Sequence, residues 1–343
     1  MQPKLHQPFS QFQNDIIFVD GLWGSGKSLL VPIIASLRGV QRVQIIEHLD
    51  YPLQLFSIKH LGFEEACTLS RYSIDILSYN TQIGRGINLR WNDWSSLNLN
   101  TSGFKYIRRL FSKDGDEAMQ RLDKSSNALL LMPHYILPSL DVLRSTLGSR
   151  LKYMFVLRHP LFVFHHWHTY FQRYLSKREF TLSIDHSGIK VPWFCAGHLP
   201  EDIGDFGSET RTITLLTAAY RGLLLTLNTL LAVKRVEDSK DILVVDFEKI
   251  CYDTELVLKQ VSNFTGRVYG NSLRKTLEIE RLPRQSQIQG RGLTGYGFDP
   301  KLKTSDTLLK SSILNRLESS VPSTAFQEFT NIINNYNSLV STL

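Results

Sequence analysis

Gly21-Leu22-Trp23-Gly24-Ser25-Gly26-Lys27-Ser28 carries the spacing G-x-x-x-x-G-K-[ST], with the apolar run Ile16-Ile17-Phe18-Val19 before it and Leu29-Leu30-Val31 after it. Glycines so placed let successive backbone N–H groups converge on phosphate oxygens, and a helix starting at the end of the loop adds its positive N-terminal end. Lys27 would reach bridging and terminal oxyanions, while the Ser28 hydroxyl would hold Mg²⁺ or a further phosphate oxygen. The flanking strand and helix are the context the motif needs. The segment therefore predicts binding of a phosphorylated nucleotide through Gly21, Trp23, Gly24, Ser25, Gly26, Lys27 and Ser28.

Two more polar groups follow apolar runs. Leu130-Leu131-Met132-Pro133-His134 and Phe155-Val156-Leu157-Arg158-His159-Pro160 each set a side chain just past the C-terminal end of a predicted strand. Ligands of open α/β sheets bind at those carboxyl ends, so His134 and Arg158 are expected to face one cleft with the phosphate loop. A guanidinium offers a phosphate a charged, bidentate fork, and imidazoles titrate where proton transfer is useful. The bland alternatives are a cap or salt bridge for Arg158 and a hydrogen-bonded structural role for His134. His165 and His168 could share a helical face, but no further ligand stands at a defined offset, so no metal site is expected. Glu47-His48-Leu49-Asp50 reads as solvated charge in a loop. Trp91, Trp94, Trp193 and Phe194 are candidates either to stack on an acceptor or to pack a lid.

The scaffold that must position these groups is an α/β fold of the P-loop NTPase-like, three-layer kind, a parallel sheet flanked by helices, because short β-branched runs alternate with helical patterns. Strands are predicted over 15–20, 43–47, 127–132, 152–157 and 241–246. One domain over 1–343 is expected, with a helical and loop insertion at 53–122 and a loop-rich insertion at 176–210. Residues 305–343 read as one or two amphipathic helices broken near Pro322. Insertions on such a core are where a substrate-facing surface belongs.

With 343 residues, 42% hydrophobic and 21% charged, the chain can bury a large core. No apolar run approaches the roughly 18 to 20 residues needed to cross a bilayer. The polar first residues, with Pro3 and Pro8, lack the apolar centre of a secretory signal, so a soluble cytoplasmic protein is expected. Asn100-Thr101-Ser102 and Asn263-Phe264-Thr265 are accordingly read as chance glycosylation patterns. Cys67, Cys195 and Cys251 have no zinc or dithiol spacing and are read as reduced. The net charge of +7 is spread along the chain, which suits a small polyanionic ligand rather than nucleic acid. Nothing in the sequence speaks to oligomeric state.

In this order the segments resemble the sulfotransferase family, across most of the chain. Strand, phosphate loop and helix come first. Met132-Pro133-His134-Tyr135-Ile136-Leu137-Pro138 is similar to the family's catalytic-histidine segment, and Phe155-Val156-Leu157-Arg158-His159-Pro160 to its 3′-phosphate-gripping turn. Ile242-Leu243-Val244-Val245-Asp246-Phe247 resembles its penultimate strand, and Gly290-Arg291-Gly292-Leu293-Thr294-Gly295 its C-terminal loop over the nucleotide. The resemblance implies sulfuryl transfer from 3′-phosphoadenosine 5′-phosphosulfate to a hydroxyl or amine of a small-molecule, sugar or lipid acceptor. It implies His134 as general base, Lys27 stabilising the leaving phosphate, and Arg158, His166, Arg291 and Gly292 holding the donor. Three segments depart from the family. Gly24 stands at its lysine and Lys27 at a threonine; His166 replaces a serine, where a protonated imidazole would donate most strongly; Gly290-Arg291 replaces an arginine-lysine pair. Gly24-Ser25-Gly26-Lys27-Ser28 also looks like the loop of ATP-dependent kinases, which leaves a small-molecule kinase using ATP and Mg²⁺, with Glu47, Asp50 or Asp246 as acid, as one alternative. A catalytically inactive nucleotide-binding scaffold is another.

Overall fold

In the computed structural model the described residues are 12–45, 47–85, 87–91, 96–97, 103–174, 181–201, 203, 207–237, 241–289 and 305–343. Their strands are β1 (Ile16–Asp20), β2 (Leu129–Leu131), β3 (Leu151–Leu157), β4 (Ser183–His186), β5 (Ile189–Pro192) and β6 (Ile242–Asp246). The main sheet is parallel throughout, in the order β2-β1-β3-β6, with Ile16 opposite both Leu129 and Leu151, and Tyr153 opposite Ile242. β1 is apolar at its first four positions and buried along its whole length, as a strand covered on both faces must be.

The pleat sends alternate side chains into two cores. Ile16, Phe18, Leu131, Tyr153 and Phe155 point into the larger one, shared with α3 (Phe63–Gln82), α6 (Leu140–Leu147), α7 (Pro160–Tyr174), α8 (Ser208–Glu237) and α13 (Ser323–Val340). Ile17, Val19, Leu130, Met154 and Val156 point into the other, with α1 (Lys27–Ala35), α9 (Phe247–Tyr252) and α10 (Thr254–Thr265). The fold is thus a parallel sheet between two helical layers, as its sequence pattern predicts.

Residues 43–47 do not form the predicted strand. The segment runs beside β2 through the isolated parallel bridges Val40–Ala128 and Gln44–Leu131, then departs into α2 (Glu47–Ser57), too soon for a ladder to form. The insertion at 53–122 carries most of α2, then α3, α4 (Gly103–Arg109) and α5 (Asp116–Asp123). Within 176–210 the chain makes the antiparallel hairpin β4–β5, whose turn residues Ser187 and Gly188 both have positive φ (52° and 79°), the twist-matched geometry of a two-residue hairpin turn. α11 (Ser272–Glu280) follows α10, and α12 (Asp306–Ser320) and α13 part at Val321-Pro322.

α8 departs from the sequence expectation. Its stretch Ser208–Ala232 is long and apolar enough to cross a membrane by length and composition, and half of it is buried within the fold. It packs on α7 and α13, where a core helix needs such a composition.

Candidate active site at the carboxyl ends of the strands

The loop between β1 and α1 is shaped by its glycines. Gly26 caps α1 in the left-handed region at φ 95°, and Gly24 sits at φ 76°. A Cβ on Gly26 would lie 2.2 Å from the Phe247 ring, and one on Gly24 would lie 2.6 Å from His166 Cδ2, so neither place admits a side chain. The Ser25 hydroxyl is buried without a hydrogen-bond partner, and Ser28 is exposed at the mouth. Lys27 is buried, its Nζ donating to the Gly21 carbonyl at 2.5 Å. Burial lowers its pKa, against the raising influence of Asp20 and Asp50. From below, Trp167 Nε1 donates to the Trp23 carbonyl at 2.8 Å, and Trp23 meets Phe194 edge-on at 5.0 Å.

The His134 segment hangs from two carboxylates. Asp20, at the end of β1 and fully buried, accepts from the backbone N–H of Tyr135 (2.7 Å), Ile136 (2.7 Å) and Leu137 (3.1 Å), and from the Tyr153 hydroxyl. These bonds hold Tyr135 at φ 59°, a conformation that costs a bulky residue on the order of 1–3 kcal/mol and persists only where its surroundings insist. The second carboxylate is Asp50. Its Oδ2 accepts from the His134 backbone N–H and lies 3.0 Å from His134 Nδ1. Asp50 is buried on α2, not solvated in a loop as its sequence context suggested, because this pair gives the carboxylate somewhere to go. Gln54 and Ser57, four and seven residues on, lie on the same face of the helix. They reach the His134 carbonyl (3.4 Å) and the Ser139 hydroxyl (2.6 Å). α2 therefore acts as a straight-edge along residues 134–139.

Arg158 leaves β3 and is buried. Its Nη1 donates to the Gly24 carbonyl at 2.8 Å, its Nε to Gln287 Oε1 at 3.3 Å, and its guanidinium lies over the Phe247 ring, 4.3 Å from the centroid. It thus braces the glycine loop. His166 packs against Gly24 from α7, and burial, then the charges of Arg158 and Lys27, lower its pKa to about 3. This favours the neutral ring, which offers a single N–H, over the protonated form in which His166 would donate most strongly. His134, Lys27, Arg158 and His166 are brought together at one end of the sheet, linked through Asp50 and Gly24. Arg291 and Gly292 lie outside the described residues, as do Trp94 and the Glu47 side chain.

Behind Arg158, Glu248 accepts from Gln287 Nε2 at 3.0 Å and from the Tyr336 hydroxyl of α13 at 3.3 Å. Burial first, then the hydrogen bond and charge of Asp246, push its pKa up to about 8, against the pull of Arg158. The folded chain then holds a proton that the unfolded chain has released. The stability this group contributes is full below the ordinary value of 4.5 and lost as pH rises through about 8. Thermal melts of Glu248→Gln are expected to lose part of the decline in Tm across that window, and a slope identical to that of the parent would contradict the assignment.

Trp193 and Phe194 are buried and pack against Tyr135, tilted and edge-on respectively, so they form the floor of the site and are not acceptor platforms. Trp91 is 77% exposed. Among the described residues no group of three metal-ligating side chains converges. Sequence reasoning missed Asp20 and, for Asp50, weighed only as solvated charge or a kinase acid, the pairing with His134. For Asp20 the available signal was a carboxylate ending an otherwise apolar strand.

No protein-family model matches the chain, and no curated protein matches it. Among solved structures it is similar to the sulfotransferase domain from the Synechococcus PCC 7002 olefin synthase (15% identity, 98% of this chain and 98% of that chain, TM-score 0.45). It is likewise similar to the sulfotransferase domain from the curacin biosynthetic pathway (13% identity, 94% of this chain and 98% of that chain, TM-score 0.44) and to sulfotransferase STF1 from Mycobacterium tuberculosis H37Rv (12% identity, 88% of this chain and 76% of that chain, TM-score 0.37).

Proposed function

We propose that the chain transfers a sulfuryl group from 3′-phosphoadenosine 5′-phosphosulfate to a hydroxyl or amine of a small acceptor. The observation that carries this reading is His134, 35% exposed and backed by the buried Asp50, beside the phosphate loop and its Lys27. A base stands where an acceptor would arrive, and a cation where negative charge would grow. When bound, the donor supplies the sulfuryl group, whose bond to the phosphate oxygen breaks as the acceptor atom bonds to sulfur. The acceptor's proton goes to His134 as general base. Lys27 and the loop N–H groups offset charge on the departing phosphate.

The site residues suit such a polyanion. The orphaned Ser25 hydroxyl needs a partner, Ser28 faces the mouth, and the first turn of α1 adds its N–H groups. Arg158 and His166 flank the loop where they would fix the donor's register; Arg291 and Gly292 are assigned to the donor by the sequence resemblance alone. Two of the three acids weighed for a kinase, Asp50 on α2 and Asp246 at the end of β6, are engaged within the protein. Asp50 holds His134, and Asp246 caps α9 by accepting from the Glu248 N–H at 3.0 Å.

Calorimetry with adenosine 3′,5′-bisphosphate in chelator, against ATP with Mg²⁺, tests the proposal. Tight binding of the bisphosphate without metal is expected. Turnover of Mg-ATP with no bisphosphate binding would replace this reading with a kinase; binding without turnover over a broad acceptor panel would replace it with an inactive scaffold.

A further inference from the structure

We propose that Asp50 is a positioning residue that fixes the His134 ring with its proton on Nδ1, presents the bare Nε2 to the acceptor, and supports the imidazolium formed when that nitrogen takes a proton. The inference rests on the role given to His134 above and adds a residue that neither the loop motif nor the histidine segment points to.

The geometry is specific. One oxygen, Asp50 Oδ2, meets both the backbone N–H and the ring Nδ1 of His134, each at 3.0 Å. The same acceptor thus orients the main chain and the ring. Burial raises the Asp50 pKa while the contacts with His134 pull it back down, and in the ionised form those contacts favour the carboxylate only accepts, so the ring atom facing it carries the hydrogen. The other nitrogen is left with its lone pair, the state a general base requires. Asp50 is 4% exposed at its side chain while His134 is 35% exposed. The carboxylate is closed off and the imidazole open, which is the asymmetry of an orienting group behind a working one.

A purely structural tie would leave the carboxylate evenly used, yet Asp50 Oδ1 is buried with no hydrogen-bond partner. Leaving a buried charge half unpaired is costly. It is understandable where the negative charge is itself of use: Lys27 lies within its electrostatic reach on one side and the ring on the other. α2 makes the placement rigid, since Gln54 and Ser57 tie the same helix face to the segment that follows His134.

The first test needs no substrate. In the ligand-free protein, ¹⁵N spectra of the histidine rings at a pH where His134 is neutral, assigned with His134→Gln, are expected to show hydrogen on Nδ1 and none on Nε2. Asp50→Ala is expected to move that hydrogen to Nε2. A parent ring protonated on Nε2 would overturn the proposal, whatever reaction the protein performs. The second test is kinetic. Asp50→Asn keeps the shape and an accepting oxygen but removes the charge. It is expected to lower kcat with the sulfuryl donor roughly 10- to 100-fold, within the range such proton-transfer partners contribute, while acceptor KM and bisphosphate affinity stay within about threefold. An unchanged kcat, or a loss confined to KM, would remove Asp50 from the mechanism. If no sulfuryl transfer is found, the ring spectra of the parent and of Asp50→Asn, which needs no repacking, still decide the tautomer.

Discussion

His134→Ala is expected to lower sulfuryl transfer by about 10²- to 10⁴-fold, the usual worth of a positioned general base. Affinity for adenosine 3′,5′-bisphosphate should stay within about threefold, because the phosphate loop keeps every contact it makes through Lys27, Arg158 and α1. The separation of the two effects is the informative part. The His134 ring contributes its Nδ1 contact with Asp50 and nothing to the loop itself, so its removal leaves the loop's fit intact. Single-turnover rates with saturating donor, paired with calorimetry on the same preparation, measure both. Full activity in the alanine variant would exclude His134 as the base. Partial restoration by added imidazole would show that only the ring was missing.

Asp20→Ala is expected to be the most damaging single change to the fold of the site. The fully buried carboxylate satisfies three consecutive backbone N–H groups and the Tyr153 hydroxyl. Its removal strands those donors away from water and frees Tyr135 from its left-handed conformation. A loss of about 3–5 kcal/mol follows from the cost of unpaired buried donors and of breaking charge-assisted bonds. Urea unfolding should show a lower midpoint with an unchanged slope, and turnover should fall along with stability because the His134 segment is no longer hung from β1. A variant within about 1 kcal/mol of the parent would mean that water replaces the carboxylate, contrary to a residue with no exposed surface.

What could be read from the sequence was local in character. β1, the glycine loop and α1 lie within 20 consecutive residues, so pattern and spacing capture them together. The remaining strands of the sheet were legible because burial on both faces demands continuous apolar runs. The segment 43–47 has Val43, Ile45 and Ile46 but lies at the sheet's margin, where Gln44 makes a single bridge before the chain turns into α2. Composition cannot distinguish a strand from a segment that merely borders one. The roles of Asp50 and Asp20 were illegible for a different reason. A charged residue is expected at the surface unless a partner is known, and theirs stand 84 and 115 residues away. His166 shows the same blindness to environment: its identity was plain, but its neutrality is set by burial and by two cations from other segments. Trp193 and Phe194 sit in a region that reads as a loop, yet they close the floor beneath Trp23.

The bond from Arg158 to the Gly24 carbonyl spans 134 residues, and its other anchor, Gln287, comes 129 residues later still. During synthesis on the ribosome the glycine loop emerges first, its clamp long afterwards and the clamp's own support later again. Such distant closures form slowly. The glycine loop is therefore made, and must wait unbraced, well before the groups that hold it in shape exist.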